Sequence, residues 1–167
     1  MQKVTPFLWF DDKAEEAAQF YVSVFGADRP GSRGGESKVL GVTRYGEAGP
    51  GTPGSAMTVS FLLEGLEFTA LNAGPHFTFT EAISFHVSCE SQEEVDYFWN
   101  ALTGNGGEES QCGWLKDRFG LSWQIIPTAL NELLSDPDPD KAQRVMEAML
   151  DMQRIDVATL EEAAKAA

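Results

Sequence analysis

The sequence predicts an α+β fold: two βαβββ modules in succession, followed by a helical tail. Three observations carry this expectation. A β-prone run that hands over to an amphipathic helix occurs at the start of the chain and again near residue 83. Each helix is trailed by short strand-like segments, and after Pro127 the pattern turns helical. With 167 residues, 43% apolar and 23% charged, the composition is that of one ordinary domain with a packed interior.

Val4 to Phe10 is aromatic and β-prone, and Asp11-Asp12 behind it are residue types that cap helix N-termini. Ala14, Ala17, Ala18, Tyr21, Val24 and Phe25 then recur at three- and four-residue steps, giving one apolar helix face that stops at Gly26. Glu15 and Glu16 suit the positive end of that helix. Strand-like segments follow at Lys38 to Tyr45, Met57 to Glu64 and Glu67 to Asn72. The connections 28–37 and 46–55 are rich in Gly, Pro and Ser. Loops of this kind can border a ligand site, although surface connection is the plainer reading.

The second half repeats the grammar. Ile83 to Cys89 reads as a strand, Ser91-Gln92-Glu93-Glu94 as a capping box, and Val95, Phe98, Trp99 and Leu102 as a helix stripe closed by Gly104. An offset of 78 residues lays Glu15-Glu16 on Glu93-Glu94, Phe20-Tyr21 on Phe98-Trp99, Val24 on Leu102 and Gly26 on Gly104. Gly113 to Lys116 and Leu121 to Ile126 supply further strands. In the tail, helices are expected over Ala129 to Leu134, Lys141 to Met152 and Val157 to Lys165. Val145, Met149 and Met152 share a face there, fit to pack on the domain or on a second subunit. One domain over 1–167 is expected, with modules at 1–75 and 76–130 and a tail at 131–167.

A formal charge of −14, from 26 acidic and 12 basic side chains, repels phosphate backbones and anionic headgroups, so neither nucleic acid nor a membrane surface is an expected partner. Two cysteines, Cys89 and Cys112, are too few for a disulfide framework. The opening run is strand-like rather than a signal peptide, and no apolar stretch approaches bilayer length. A cytoplasmic location follows as an expectation.

Four runs carry a resemblance: Thr5-Pro6-Phe7-Leu8-Trp9-Phe10, Ala70 to Pro75, Ala82-Ile83-Ser84-Phe85, and Cys112 to Gln124 with its Asp117-Arg118-Phe119-Gly120 turn. Together they resemble the PhnB-like branch of the vicinal-oxygen-chelate superfamily, a branch often labelled 3-demethylubiquinone-9 3-methyltransferase. The resemblance implies a concave, partly closed mixed sheet, a ligand pocket within it, and a homodimer. Relatives such as glyoxalase I and extradiol dioxygenases hold a divalent metal with two His and carboxylates.

Carried over position by position, that metal set is replaced. The first-strand His position, 14 residues before Phe20, is Pro6; the matching second-module position is Ser84; and the Glu position, seven residues after Asp117, is Gln124. In Glu67 to Asn72, alternation puts Phe68, Ala70 and Asn72 on one face, without a carboxylate. No metal and no other cofactor is therefore expected.

Alternation along Ala82 to Cys89 sets Ser84, His86 and Ser88 against Ile83, Phe85, Val87 and Cys89, so His86 should project into the pocket, where its ordinary pKa suits acid, base or hydrogen-bonding roles. The candidate ligand-binding residues are His86, Gln124, Ser84, Asn72 and Trp114; Trp9 is a further aromatic candidate, His76 a loop residue, and Cys112, just before the Gly113 strand, a buried thiol. They point first to a small, largely apolar molecule bound in the concave sheet. One alternative is a metal-dependent lyase or dioxygenase using His86 with Glu67 or His76. Another is the methyltransferase of the branch label, which the lack of a Gly-rich strand-to-helix turn disfavours.

Overall fold

The computed structural model describes residues 2–166 and divides into two compact units, the first ending at Phe79 and the second beginning at Thr80. The first unit runs β1 (Phe7–Phe10), α1 (Ala14–Val24), β2 (Lys38–Arg44), β3 (Ala56–Leu63) and β4 (Leu66–Asn72). Its strands form an open mixed sheet in the order β1-β4-β3-β2, with β1 parallel to β4 and the other pairs antiparallel. Ala14, Ala17 and Ala18 bring α1 close to the sheet, and Tyr21 stacks on Phe61, which stacks on Phe68. Leu8, Val59 and Ala70, buried and in register, belong to the same packed face.

Asp11-Asp12 does not cap α1. Lys13 occupies the N-cap without a side-chain bond, and the Ala14 N–H donates instead to Asn72 Oδ1 at 2.8 Å. Asn72 Nδ2 donates to the Ala56 carbonyl at 3.1 Å, so one amide at the end of β4 ties helix to sheet.

The second unit runs β5 (Phe85–Cys89), α2 (Gln92–Thr103), β6 (Glu108–Glu109), β7 (Trp114–Lys116) and β8 (Ser122–Pro127), in the sheet order β5-β8-β7-β6 with β5 parallel to β8. The two modules therefore share one βαβββ order. Ser91 caps α2 as expected, accepting from the Glu94 N–H at 3.2 Å, but Glu94 reaches back one residue past the box, to the Glu90 N–H.

The strands do not share the 78-residue offset of the helices. Phe10 and Cys89 both end their strands buried, and three residues, 11–13, join β1 to α1 where only Glu90 and Ser91 join β5 to α2. In the sheets the offset is thus one residue larger: Ser84 corresponds to Thr5, and Pro6 to Phe85, correcting the pairing of Pro6 with Ser84.

The tail is α3 (Thr128–Leu134), α4 (Pro139–Leu150) and α5 (Val157–Lys165). Val145, Met149 and Met152 do share a packed face, gathered with Ile126, Leu130, Ile155 and Leu160. Gln92 binds the tail twice, donating to the Ile155 carbonyl at 3.0 Å and accepting from the Val157 N–H at 2.8 Å. The N–H groups of Cys112 and Gly113 donate to the carbonyls of Met152 and Gln153. Cys112 stands in a left-handed turn, at φ 57°, and Gly113, expected to open the strand, shares that turn, so β7 begins only at Trp114.

Gly113, at φ 84°, permits this junction, because an added Cβ would lie 2.8 Å from both the Ile125 carbonyl and Ile126 Cδ1. Gly113→Ala should cost about 2 kcal/mol, combining backbone strain with overpacking. Urea denaturation checks this; an unchanged midpoint would show that the junction yields freely. Among the described residues, no helix is long and apolar enough to cross a membrane.

Candidate functional site

Along β8, Trp123 and Ile125 are buried in register with Phe85 and Val87, and the rings of Phe85 and Trp123 are 5.6 Å apart. Period-two alternation turns Ser122, Gln124 and Ile126 to the opposite face. Gln124 is in register with His86 on β5 and with Trp114 on β7, so the three side chains make a row across three strands. Ser84, two residues before His86, joins the row: Gln124 Nε2 donates to Ser84 Oγ at 2.8 Å. Ser88 Oγ lies 3.4 Å from His86 Nδ1. His86 is exposed, while Ser84, Gln124 and Trp114 are half-buried. Four of the five candidate residues thus stand together.

The ends of this face are fixed. Ile126 is buried in the tail cluster. Toward the other end Ser122 is in register with Lys116, and its buried Oγ lacks a hydrogen-bond partner among the described residues. Alternation places Ser122 on this face, but a lone serine carries too little signal to mark it as a candidate. Hydrogen bonds to Glu108 and then Glu81 hold the Lys116 ammonium above the ordinary lysine pKa. Asp117 anchors the Asp-x-x-Gly turn from within: Oδ1 accepts from the Phe119 and Leu121 N–H groups, and Oδ2 from Trp123 Nε1.

Asn72 belongs to the first unit, where its amide serves α1 and β3. It also borders a cavity of about 490 Å³ lined by Asp11, Asp12, Glu15, Tyr45, His76 and the loop residues 50–52 and 55. Nothing in the sequence pattern joined these residues, although the 46–55 loop was a possible ligand border. Trp9 is engaged locally, donating to the Gly74 carbonyl at 2.8 Å and meeting Phe77 edge-on at 4.8 Å.

A sequence profile described as 3-demethylubiquinone-9 3-methyltransferase matches residues 2–126. The chain belongs to that family. A PhnB protein from Bacillus cereus, provisionally described as a 3-demethylubiquinone-9 3-methyltransferase, is 36% identical over 76% of this chain and all of its own, with a TM-score of 0.65. Protein PA1353 from Pseudomonas aeruginosa shares the fold at 18% identity over 76% of this chain and 98% of its own, with a TM-score of 0.59. A glyoxalase/bleomycin resistance protein from Albidiferax ferrireducens T118 also aligns, at 19% identity over 73% of this chain and 95% of its own, with a TM-score of 0.44. No curated protein matches significantly.

Ser84 and Gln124 stand at two positions where the family resemblance would place metal ligands. The Ser84 hydroxyl and Gln124 amide are neutral and spend a donor and an acceptor on each other. Among the described residues, no three His, Cys, Asp or Glu side chains form a group that could hold a metal. His86 belongs to the second unit, whereas Glu67 and His76 belong to the first.

Proposed function

We propose that this family member binds a small planar molecule on the Gln124 face of the second sheet, without the family-type metal. The observation that carries the reading is the Gln124–Ser84 hydrogen bond, which joins two expected ligand positions into a neutral pair beside His86 and Trp114. Trp114 offers a flat apolar surface; the amide and imidazole offer a donor and acceptor edge that would fix orientation. Such a face suits a ligand with an apolar body and a carbonyl or hydroxyl rim, in a cytoplasmic homodimer of the kind the family resemblance implies. His86 supplies the row's acid–base side chain.

A thermal-shift screen of planar aromatic ketones and quinones tests this. At least one should stabilise the chain, and Trp114→Ala should weaken its affinity about tenfold through lost stacking area. No response to any compound, or responses indifferent to Trp114→Ala, would overturn the proposal. The methyltransferase reading has a separate measurement: calorimetry with S-adenosylmethionine should show no stoichiometric binding.

A further inference from the structure

We propose that the cavity at the end of the first sheet is a binding site for a small organic amine. This does not rest on the Gln124 face, with which it shares no residue. Its volume, about 490 Å³, falls within the roughly 300–1,000 Å³ of small-molecule sites.

The walls are built rather than incidental. Tyr45 is buried and donates its hydroxyl to the Asn72 carbonyl, while Asn72 uses its own amide on Ala14 and Ala56. The following loop folds tightly over the Tyr45 ring: an added Cβ would come within 2.5 Å of it from Gly49 and 2.3 Å from Gly51. Backbone bonds close the loop, from the Tyr45 N–H to the Ser55 carbonyl at 2.9 Å and from the Gly54 N–H to the Tyr45 carbonyl at 2.8 Å. A pocket held in this way is available without reorganisation.

Its lining selects the ligand's charge. Asp11, Asp12 and Glu15 all face the cavity, and among the described residues Arg44 offsets only Glu15, at 3.6 Å, leaving Asp11 and Asp12 without a basic partner. The summed field repels anions and attracts cations. Because these donors do not form a group fit for a metal ion, the cation that suits them is extended, with one or two ammonium groups on a short carbon chain. His76, Thr52 and Ser55 complete a lining that accepts hydrogen bonds from such groups.

The test uses the full chain at low salt, with 1,4-diaminobutane as probe and 1,4-butanediol as its neutral counterpart, followed by calorimetry and amide chemical shifts. The diamine should bind and move the resonances of Thr52, Ala73 and Gly74; the diol should not. Asp11→Asn with Asp12→Asn, both exposed, should weaken diamine binding about tenfold. Glu161→Gln with Glu162→Gln on α5 removes the same charge far along the sequence, and should leave binding unchanged. Equal losses in the two double variants would reveal only a general attraction to an acidic surface and would overturn the proposal, as would equal responses to diamine and diol.

Discussion

Replacing Asp117 by alanine is expected to lower the unfolding free energy by about 4 kcal/mol, because it strands two buried donors and a half-buried one together. The carboxylate is 2% exposed and accepts at 2.8 Å from the Phe119 N–H, at 3.1 Å from the Leu121 N–H and at 2.9 Å from Trp123 Nε1. Alanine fills none of these roles. Asp117→Asn should cost about half as much: its amide oxygen can still serve the two backbone groups, but its NH₂ would confront the indole N–H. Guanidinium denaturation with a fitted slope checks both values, and a loss below about 1 kcal/mol for Asp117→Ala would show that the turn repacks. The consequence reaches the candidate site, since Trp123 precedes Gln124 on β8 and anchors it from the opposite face.

Why some of this was legible and some was not follows from the range of the interactions. The α1 and α2 stripes are local and periodic, so Tyr21, Val24, Phe98 and Leu102 announced their buried faces. The row of His86, Gln124 and Trp114, with Ser84, was legible for a similar reason: alternation fixes a face once a strand is recognised. The cap of α1 was hidden, because Asn72 supplies it from 58 positions away in the chain and the nearby Asp11-Asp12 offered a sound local answer. β6, at two residues, is too short to show a period. The cavity was hidden most completely, since it joins the 46–55 loop to the ends of β1 and β4 through Tyr45 and two glycines whose importance is steric. The one-residue difference between strand and helix offsets was invisible because the helices carried the alignment and the connecting turns carried the discrepancy.

Placing metal donors at two positions of the second module, Ser84→His with Gln124→Glu, should create a Zn²⁺ site at least about a hundredfold tighter than anything in the unmodified chain, equivalent to roughly 2.7 kcal/mol. The geometry already exists. Ser84 Oγ and Gln124 Nε2 touch at 2.8 Å, and His86 stands in register with Gln124 two residues beyond Ser84. One imidazole on β5, a second just before that strand and a carboxylate on β8 make a three-donor set with an open fourth position. Calorimetry on chelator-treated protein measures it, and His86→Ala in the double variant should forfeit at least about tenfold in affinity. A folded double variant that ignores Zn²⁺ would mean that the Gln124–Ser84 pair does not mark a converted metal centre. A variant that binds through all three side chains would show that this face presents a three-donor set once two of its side chains are changed.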